Sequence, residues 1–375
     1  MHMKTLFYFA MALGISCAFS SCTKVTIGGP EDEGVKYVGS EVCKTCHSEI
    51  YNTTKESAMY HALTVIDNGP PQIPFGSEDI IPPDQYSWSD LSLLIGGFEW
   101  SATFVSNDGY VVTQNMGSQF NMADQSRVHY KPEIENGTLE FVCGECHTTG
   151  WGEVTDQFAS SVLNSFPEKY FEEGVRCEAC HGPGSLHLAD QSESSIVLDK
   201  SSELCARCHQ MNEDYSIVSE GRFIAVSQQY EEWYSSGHNQ GGIGCVGCHN
   251  PHASVVNEAA TVEGVKPCSS CHTDKNADNH FAMDIECTVC HMPKSVKIAL
   301  EENEYTGDAS AHIFNISTDA TYEMFSSDGL VNKDGFGLSL DYVCYQCHKD
   351  DNGSGGKNSK KSMEALSQKA TNFHN

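Results

Sequence analysis

Cys177-Glu178-Ala179-Cys180-His181-Gly182-Pro183-Gly184-Ser185-Leu186-His187 holds the unit from which the rest of the chain can be read. Two cysteines stand three positions apart, a histidine follows at once, and a second histidine comes six residues later. The first five residues of that pattern, Cys-x-x-Cys-His, recur eight times in the chain. In chain order they are motif 1 (Cys43, Cys46, His47), motif 2 (Cys143, Cys146, His147), motif 3 (Cys177, Cys180, His181) and motif 4 (Cys205, Cys208, His209). Motif 5 (Cys245, Cys248, His249), motif 6 (Cys268, Cys271, His272), motif 7 (Cys287, Cys290, His291) and motif 8 (Cys344, Cys347, His348) follow. Of the 18 cysteines only Cys17 and Cys22 fall outside these motifs.

Two thiols three positions apart on one helical turn reach the two vinyl groups of a single porphyrin as thioethers, and the adjacent histidine then points at the iron as proximal ligand. Zinc ribbons and redox cysteine pairs share the thiol spacing. They do not put a histidine in the same place eight times, nor leave the mature chain without a spare cysteine. The expected cofactor is therefore haem c, eight per chain and covalently attached.

The histidine count carries the reading further. Of 17 histidines, His2 belongs to the amino-terminal leader and eight are proximal. The other eight are His61, His129, His187, His238, His252, His280, His312 and His374. Eight irons with a histidine on each face need that number of distal ligands, so bis-histidine ligation is the default expectation. His129, in Arg127-Val128-His129-Tyr130, and His374, next to the last residue, fit this role least readily. Chain ends fray, although Met363, Leu366, Ala370 and Phe373 fall at helical spacing and could dock that segment.

Lys4, the apolar run Thr5–Ile15 and Ala18-Phe19-Ser20-Ser21-Cys22 read as an export leader. The last five residues resemble a bacterial lipobox, with Phe19 where an aliphatic residue is usual, and they make Cys22 the expected lipidation site. The alternative is an ordinary secretory peptide that leaves Cys22 a free thiol. The expected organisation is a signal peptide over 1–21 and a flexible tether over 22–36. A segment with motifs 1 and 2 and a β insertion spans 37–150, and a dense segment with motifs 3 to 8 and a tail spans 151–375. The formal charge of −29 excludes a phosphate-backbone partner, so no nucleic acid is expected.

Motif 1 stands 100 residues ahead of motif 2, whereas motifs 2 to 7 crowd into the 149 residues from Cys143 to His291. Such density leaves little room for a side-chain core, so stacked porphyrins must take its place and folding must depend on them. The expected fold is mainly α and irregular, with a small antiparallel sheet near 90–115. There, Leu91–Ile95, Trp100–Val105 and Tyr110–Thr113 read as strands around an Asn107-Asp108-Gly109 turn, burying Trp100 and Phe104. Short helices are expected over Val42–Met59 and Met363–Phe373. Extended or solvated loops are expected at Asn68–Gln85, Asp190–Glu203 and 352–361.

Tyr37-Val38-Gly39-Ser40-Glu41-Val42-Cys43-Lys44-Thr45-Cys46-His47, with Ser57 and His61, resembles the first haem segment of cytochrome c-552/4-type multihaem cytochromes. Ile95-Gly96-Gly97-Phe98-Glu99-Trp100 and Cys143–Gly150 are similar to that family's β segment and second haem. Cys177–His187, Cys245–His252 and Cys287–Pro293 resemble further recurring motifs of the family. The resemblance covers about residues 37–348. It implies that histidines placed like His61, His187, His238 and His252 are distal ligands, often to a haem whose own motif lies elsewhere, and that parallel-stacked and near-perpendicular haem pairs alternate.

Two functions stay open. One is an electron conduit in the cell envelope, periplasmic or outer-membrane-associated, exchanging electrons with redox proteins or small inorganic or extracellular acceptors. The other is an oxidoreductase of nitrite, hydroxylamine, tetrathionate or sulfite, which needs one iron with an open face and proton-moving groups beside it. Arg127, His129 and Tyr130 are the distal-candidate cluster with suitable chemistry, although such a run is more often packing or surface.

Overall fold

A computed structural model of the chain describes residues 34–74, 79–152, 170–256, 260, 262–275, 285–332, 337–349, 359–371 and 373–374. The export leader with Cys17, Cys22 and the tether up to residue 33 lie outside the described residues, as do His280 and the run 352–358. Val35–Asn375 group as one compact unit. Among the described residues no helix is long and apolar enough to cross a membrane.

The first helix pair is shorter than the sequence suggests. α1 (Ser40–Lys44) ends within motif 1, His47 leaves helical geometry at φ −112° and ψ 44°, and α2 (Ser48–Thr54) restarts behind it. The expected single helix over Val42–Met59 is thus broken where the histidine turns away from the thiol-bearing turn.

β1 (Leu63–Val65), β2 (Leu91–Gly96), β3 (Ser101–Ser106), β4 (Gln119–Asn121) and β5 (Arg127–Val128) form one antiparallel sheet, in chain order. Leu94 pairs with Phe104 and Leu93 with Val105, after a bulge between Leu91 and Leu93. Both faces of β2 and β3 are buried, which explains why these strands read as continuous apolar runs rather than alternating ones. Leu94, Ala102, Phe104 and Phe120 pack on one side with Ile73, Ile80 and Phe98, so the proline-rich loop covers that face. Leu63, Leu93 and Val105 pack on the other with Val111, Phe141 and Tyr170, beside Cys143 of motif 2. Tyr110 and Val111 make only isolated bridges, to Glu140 and Val105, instead of the expected strand. Trp100 is half-buried rather than buried, and its indole N–H donates to the Asp308 carbonyl at 3.2 Å.

Most motifs sit on short helices: α3 (Gly144–His147), α4 (Cys177–His181), α6 (Ser202–His209), α9 (Cys245–Cys248), α10 (Cys287–His291) and α11 (Leu340–Cys344). Between them lie α5 (Ser185–Asp190), α7 (Gln229–Tyr234) and α8 (Gly237–Gln240), and α12 (Met363–Ala370) follows. Two small antiparallel pairs join in, β6 (Thr148–Thr149) with β7 (Glu172–Glu173), and β8 (Ser219–Glu220) with β9 (Phe223–Ile224). A third core, with Ile217, Phe223, Ile224, Val296, Ile313, Met324, Leu338 and Tyr342, ties β8–β9 to residues 296–343. Gly174 shows why a glycine is required between β7 and motif 3. Its φ is +73°, and a Cβ there would lie 2.0 Å from the Tyr60 carbonyl.

A chain of cysteine–histidine sites

Motifs lie close to one another through their thiols, in an order that differs from the sequence. The Cys43 thiol lies within hydrogen-bonding reach of Cys177, which joins motif 1 to motif 3. Cys180 lies within electrostatic reach of Cys205 and Cys208, joining motif 3 to motif 4. The Cys205 thiol meets Cys245 of motif 5, and the Cys268 thiol of motif 6 meets Cys287 of motif 7. Cys248 and Cys271 link motifs 5 and 6, and Cys290 with Cys344 and Cys347 links motifs 7 and 8. Motif 2 attaches sideways to motif 4, with Cys146 Sγ 3.9 Å from the Arg207 carbonyl and Cys208 Sγ 3.9 Å from that of Glu145.

The imidazoles pair just as specifically. His187 faces His47 with ring centroids 6.2 Å apart, and His252 faces His181 at 6.0 Å. His312 faces His249 at 6.1 Å, His238 faces His272 at 5.9 Å and His374 faces His291 at 5.8 Å. In each pair one ring belongs to a motif and the other to a distal candidate. Motif 3 carries its own trailing histidine back to motif 1, and motif 5 carries His252 back to motif 3.

Residues 107–182 match the family model described as cytochrome c554 and c-prime, and residues 238–277 match that of the doubled CXXCH motif. The chain is a multihaem c-type cytochrome. The multiheme cytochrome MtrA of Shewanella baltica is 27% identical over 135 residues, 32% of this cytochrome and 36% of that protein. The dissimilatory sulfite reductase MccA of Wolinella succinogenes is 25% identical over 245 residues, 51% of this cytochrome and 34% of that protein. The matches thus span about a third of the length of these curated relatives. Among solved structures, the outer cell wall cytochrome OcwA superposes with a TM-score of 0.55 at 16% identity, covering 90% of this cytochrome and 96% of that chain. The octaheme sulfite reductase MccA of W. succinogenes, form II, gives 0.56 at 18% identity, covering 84% and 65%. Both likenesses concern the fold, which is mainly helical and irregular with small antiparallel sheets, as the sequence suggests.

The residues present fit haem. Two imidazoles that each bind one iron through a nitrogen at roughly 2 Å have ring centres roughly 6 Å apart, and the five pairs match that spacing. Among the described residues no three His, Cys, Asp or Glu side chains converge as a bare-ion site would require. The second ring nitrogen is oriented as a ligating histidine needs. The Nδ1–H of His147 donates to the Ala62 carbonyl at 2.9 Å, and that of His181 donates to Val197 at 2.7 Å. His291 donates likewise to Phe314 at 2.8 Å and His187 to Ser192 at 2.9 Å, which leaves Nε2 for iron. Burial holds His147, His238, His249, His252 and His312 below the usual histidine range, the last at about 4, so the neutral, metal-binding form prevails at neutral pH.

The other candidates are placed differently. His61 is buried against Tyr60 and Phe98, and its Nε2–H donates to the Lys55 carbonyl at 2.9 Å. His129 is exposed and bonded through Nδ1 to the Gln114 carbonyl. Among the described residues no imidazole faces His147 or His209 at the spacing of the five pairs. His348 of motif 8 is described, but the candidate His280 is not. Of the Arg127–His129–Tyr130 cluster, Arg127 is committed to Asp84 at 2.9 Å, and only Tyr130 packs near Cys143.

Several supporting residues carried no signal in the sequence. Glu178, inside motif 3 and 2% exposed, accepts from the backbone N–H groups of Val38, Gly39 and Gly184. It thereby pins the segment before motif 1 to motif 3. On α7, Gln229 Oε1 lies 3.2 Å from His209 Nδ1. Glu231 accepts from Met211 and Asn212 just past motif 4, and Glu232 accepts from the His312 backbone. Burial pushes Glu232 up to about 8.

Proposed function

We propose that this cytochrome binds eight haems and carries electrons through the cell envelope along the line of motifs 1, 3, 4, 5, 6, 7 and 8, with motif 2 as a branch on motif 4. The observation that supports it best is that the cysteines of consecutive motifs in that line lie within electrostatic or hydrogen-bonding reach of one another throughout. Bound haem supplies a one-electron ferric/ferrous couple at each position. The chain's own part is to fix each ring pair, so that ligation changes little between oxidation states, and to hold neighbours in contact. Histidine on both faces and an acidic surround favour the ferric form, so the potentials are low. The leader and Cys22 support export with a lipid anchor. The partners are redox proteins or small inorganic or extracellular acceptors.

One observation favours a second reading, reduction or oxidation of a small nitrogen or sulfur compound at motif 2. His147 faces no imidazole among the described residues, and its motif ends a branch instead of continuing the line. A pyridine haemochrome assay with EPR of the air-oxidised protein tests both. The conduit predicts about eight haems per chain and mainly low-spin ferric signals. The His238–His272 pair, with planes crossed at 83°, gives a more anisotropic signal than the pairs at 18–35°. A haem content well below eight breaks the line and overturns the conduit. A full high-spin equivalent lost in a His147→Ala variant moves the function to motif 2.

A further inference from the structure

We propose that the haem iron at motif 7 is a binding site for small neutral π-acceptor ligands, of which carbon monoxide is the simplest, because its sixth ligand His374 is exchangeable. The idea concerns one ligand position and stands whether or not the line of haems is a conduit. It grows from a difference among the five ring pairs. His312 lies between Ala311 and Ile313, both 0% exposed, and cannot leave without opening the core. His252 is followed by buried Ala253, and His238 sits in the first turn of α8, whose capping Ser236 is buried. His187 rides on α5, its Nδ1–H tied to Ser192.

His374 instead lies beyond the end of α12, and Leu366 is the one buried side chain among the described residues from 359 to 374. Leu366 packs on Leu340 and Tyr345, next to motif 8. The Tyr345 hydroxyl donates to the Lys361 carbonyl at 2.9 Å, and the Ser367 hydroxyl donates to Thr318 at 2.6 Å. An element with so little buried apolar contact opens locally far more often than the core unfolds. When α12 lifts, the bond between iron and the His374 nitrogen breaks with its electron pair left on nitrogen. The incoming ligand then donates its own pair, and no oxidation state changes. α12 thus serves both motifs, resting on motif 8 while holding the sixth ligand of motif 7.

The test is stopped-flow mixing of the dithionite-reduced holoprotein with carbon monoxide at several concentrations, followed in the Soret band. An iron with an open face binds at a rate proportional to carbon monoxide. One guarded by His374 binds at a rate that levels off at the histidine's departure rate. The expected result is one haem equivalent of levelling phase in the wild type, converted by His374→Ala into a proportional phase of equal amplitude. Leu366→Ala raises the plateau rate several-fold, and Ser367→Ala raises it less. A wild type without a levelling phase overturns the proposal, whether His374→Ala gains an equivalent or leaves the traces unchanged. So does a plateau that ignores both helix variants while their low-spin spectra stay intact.

Discussion

Along the sheet, β2 and β3 bury Leu91, Leu93, Leu94, Ala102, Phe104 and Val105, whereas from Cys177 to His209 no described apolar side chain is buried. Among the described residues from Gly237 to Ser295 only Ala253 and Pro293 are. The sheet region has an ordinary side-chain core, each full burial stabilising by roughly 1.5–3 kcal/mol. The dense region has turns, backbone hydrogen bonds and buried carboxylates, but little apolar burial of its own. One chain therefore uses two ways of holding itself together, and the second requires the porphyrins as its apolar interior. The largest expected effect follows from this. If every motif cysteine is replaced by alanine, hydrogen exchange at 177–209 and 237–295 should become nearly unprotected while Leu91–Ser106 keeps its protection. Equal loss in both regions would break the comparison and make the whole fold depend on haem.

Phe104→Ala attacks the other side. Phe104 is 0% exposed and packs between Leu94 and Phe120, so the truncation should cost about 3–5 kcal/mol. Denaturant unfolding measures this, and the low-spin signals of motifs 5 to 7 should persist while the sheet melts early. Simultaneous loss of both would show that the sheet and the line of haems fold as one cooperative block. A somewhat smaller effect is expected at Glu178. Glu178→Ala leaves one buried and two partly buried backbone donors without their acceptor, a loss of about 3 kcal/mol. It should show as lowered stability and faster exchange at Val38 and Gly39, with Glu178→Gln in between.

What could be read in the sequence divides along the same line. Covalent attachment needs fixed residue types at fixed spacing, so all eight motifs were legible, and so were the apolar runs of β2 and β3. Where an imidazole from elsewhere in the chain ends up is a matter of three-dimensional folding. The count of distal candidates was visible, but not that His187 returns to motif 1 or His252 to motif 3. Nor could spacing reveal that His61 and His129 bond backbone carbonyls. β1, β4 and β5, of two or three residues each, are too short for periodicity to register. Trp100 looked like core because indole is large and apolar. It is half-buried because its N–H needs a partner and finds one in a distant segment.

That bond is the finest probe of how separate the two regions are. Trp100 belongs to the sheet, and the Asp308 whose carbonyl it reaches folds back with its carboxylate on the backbone N–H groups of Ile298, Ala299 and Leu300. Trp100→Phe removes the donor and keeps most of the aromatic surface, at a cost of about 1 kcal/mol. If the regions are coupled there, the midpoint of the sheet and that of residues 296–343, followed by exchange at Ala102 and Val296, should fall together by similar amounts. If only the sheet responds, the contact is a local convenience, and the regions communicate through the haem motifs alone. The distinction matters because the third core contains Ala311 and Ile313, which flank His312, the residue that faces motif 5. A sheet that moves with that core could influence an iron it does not touch.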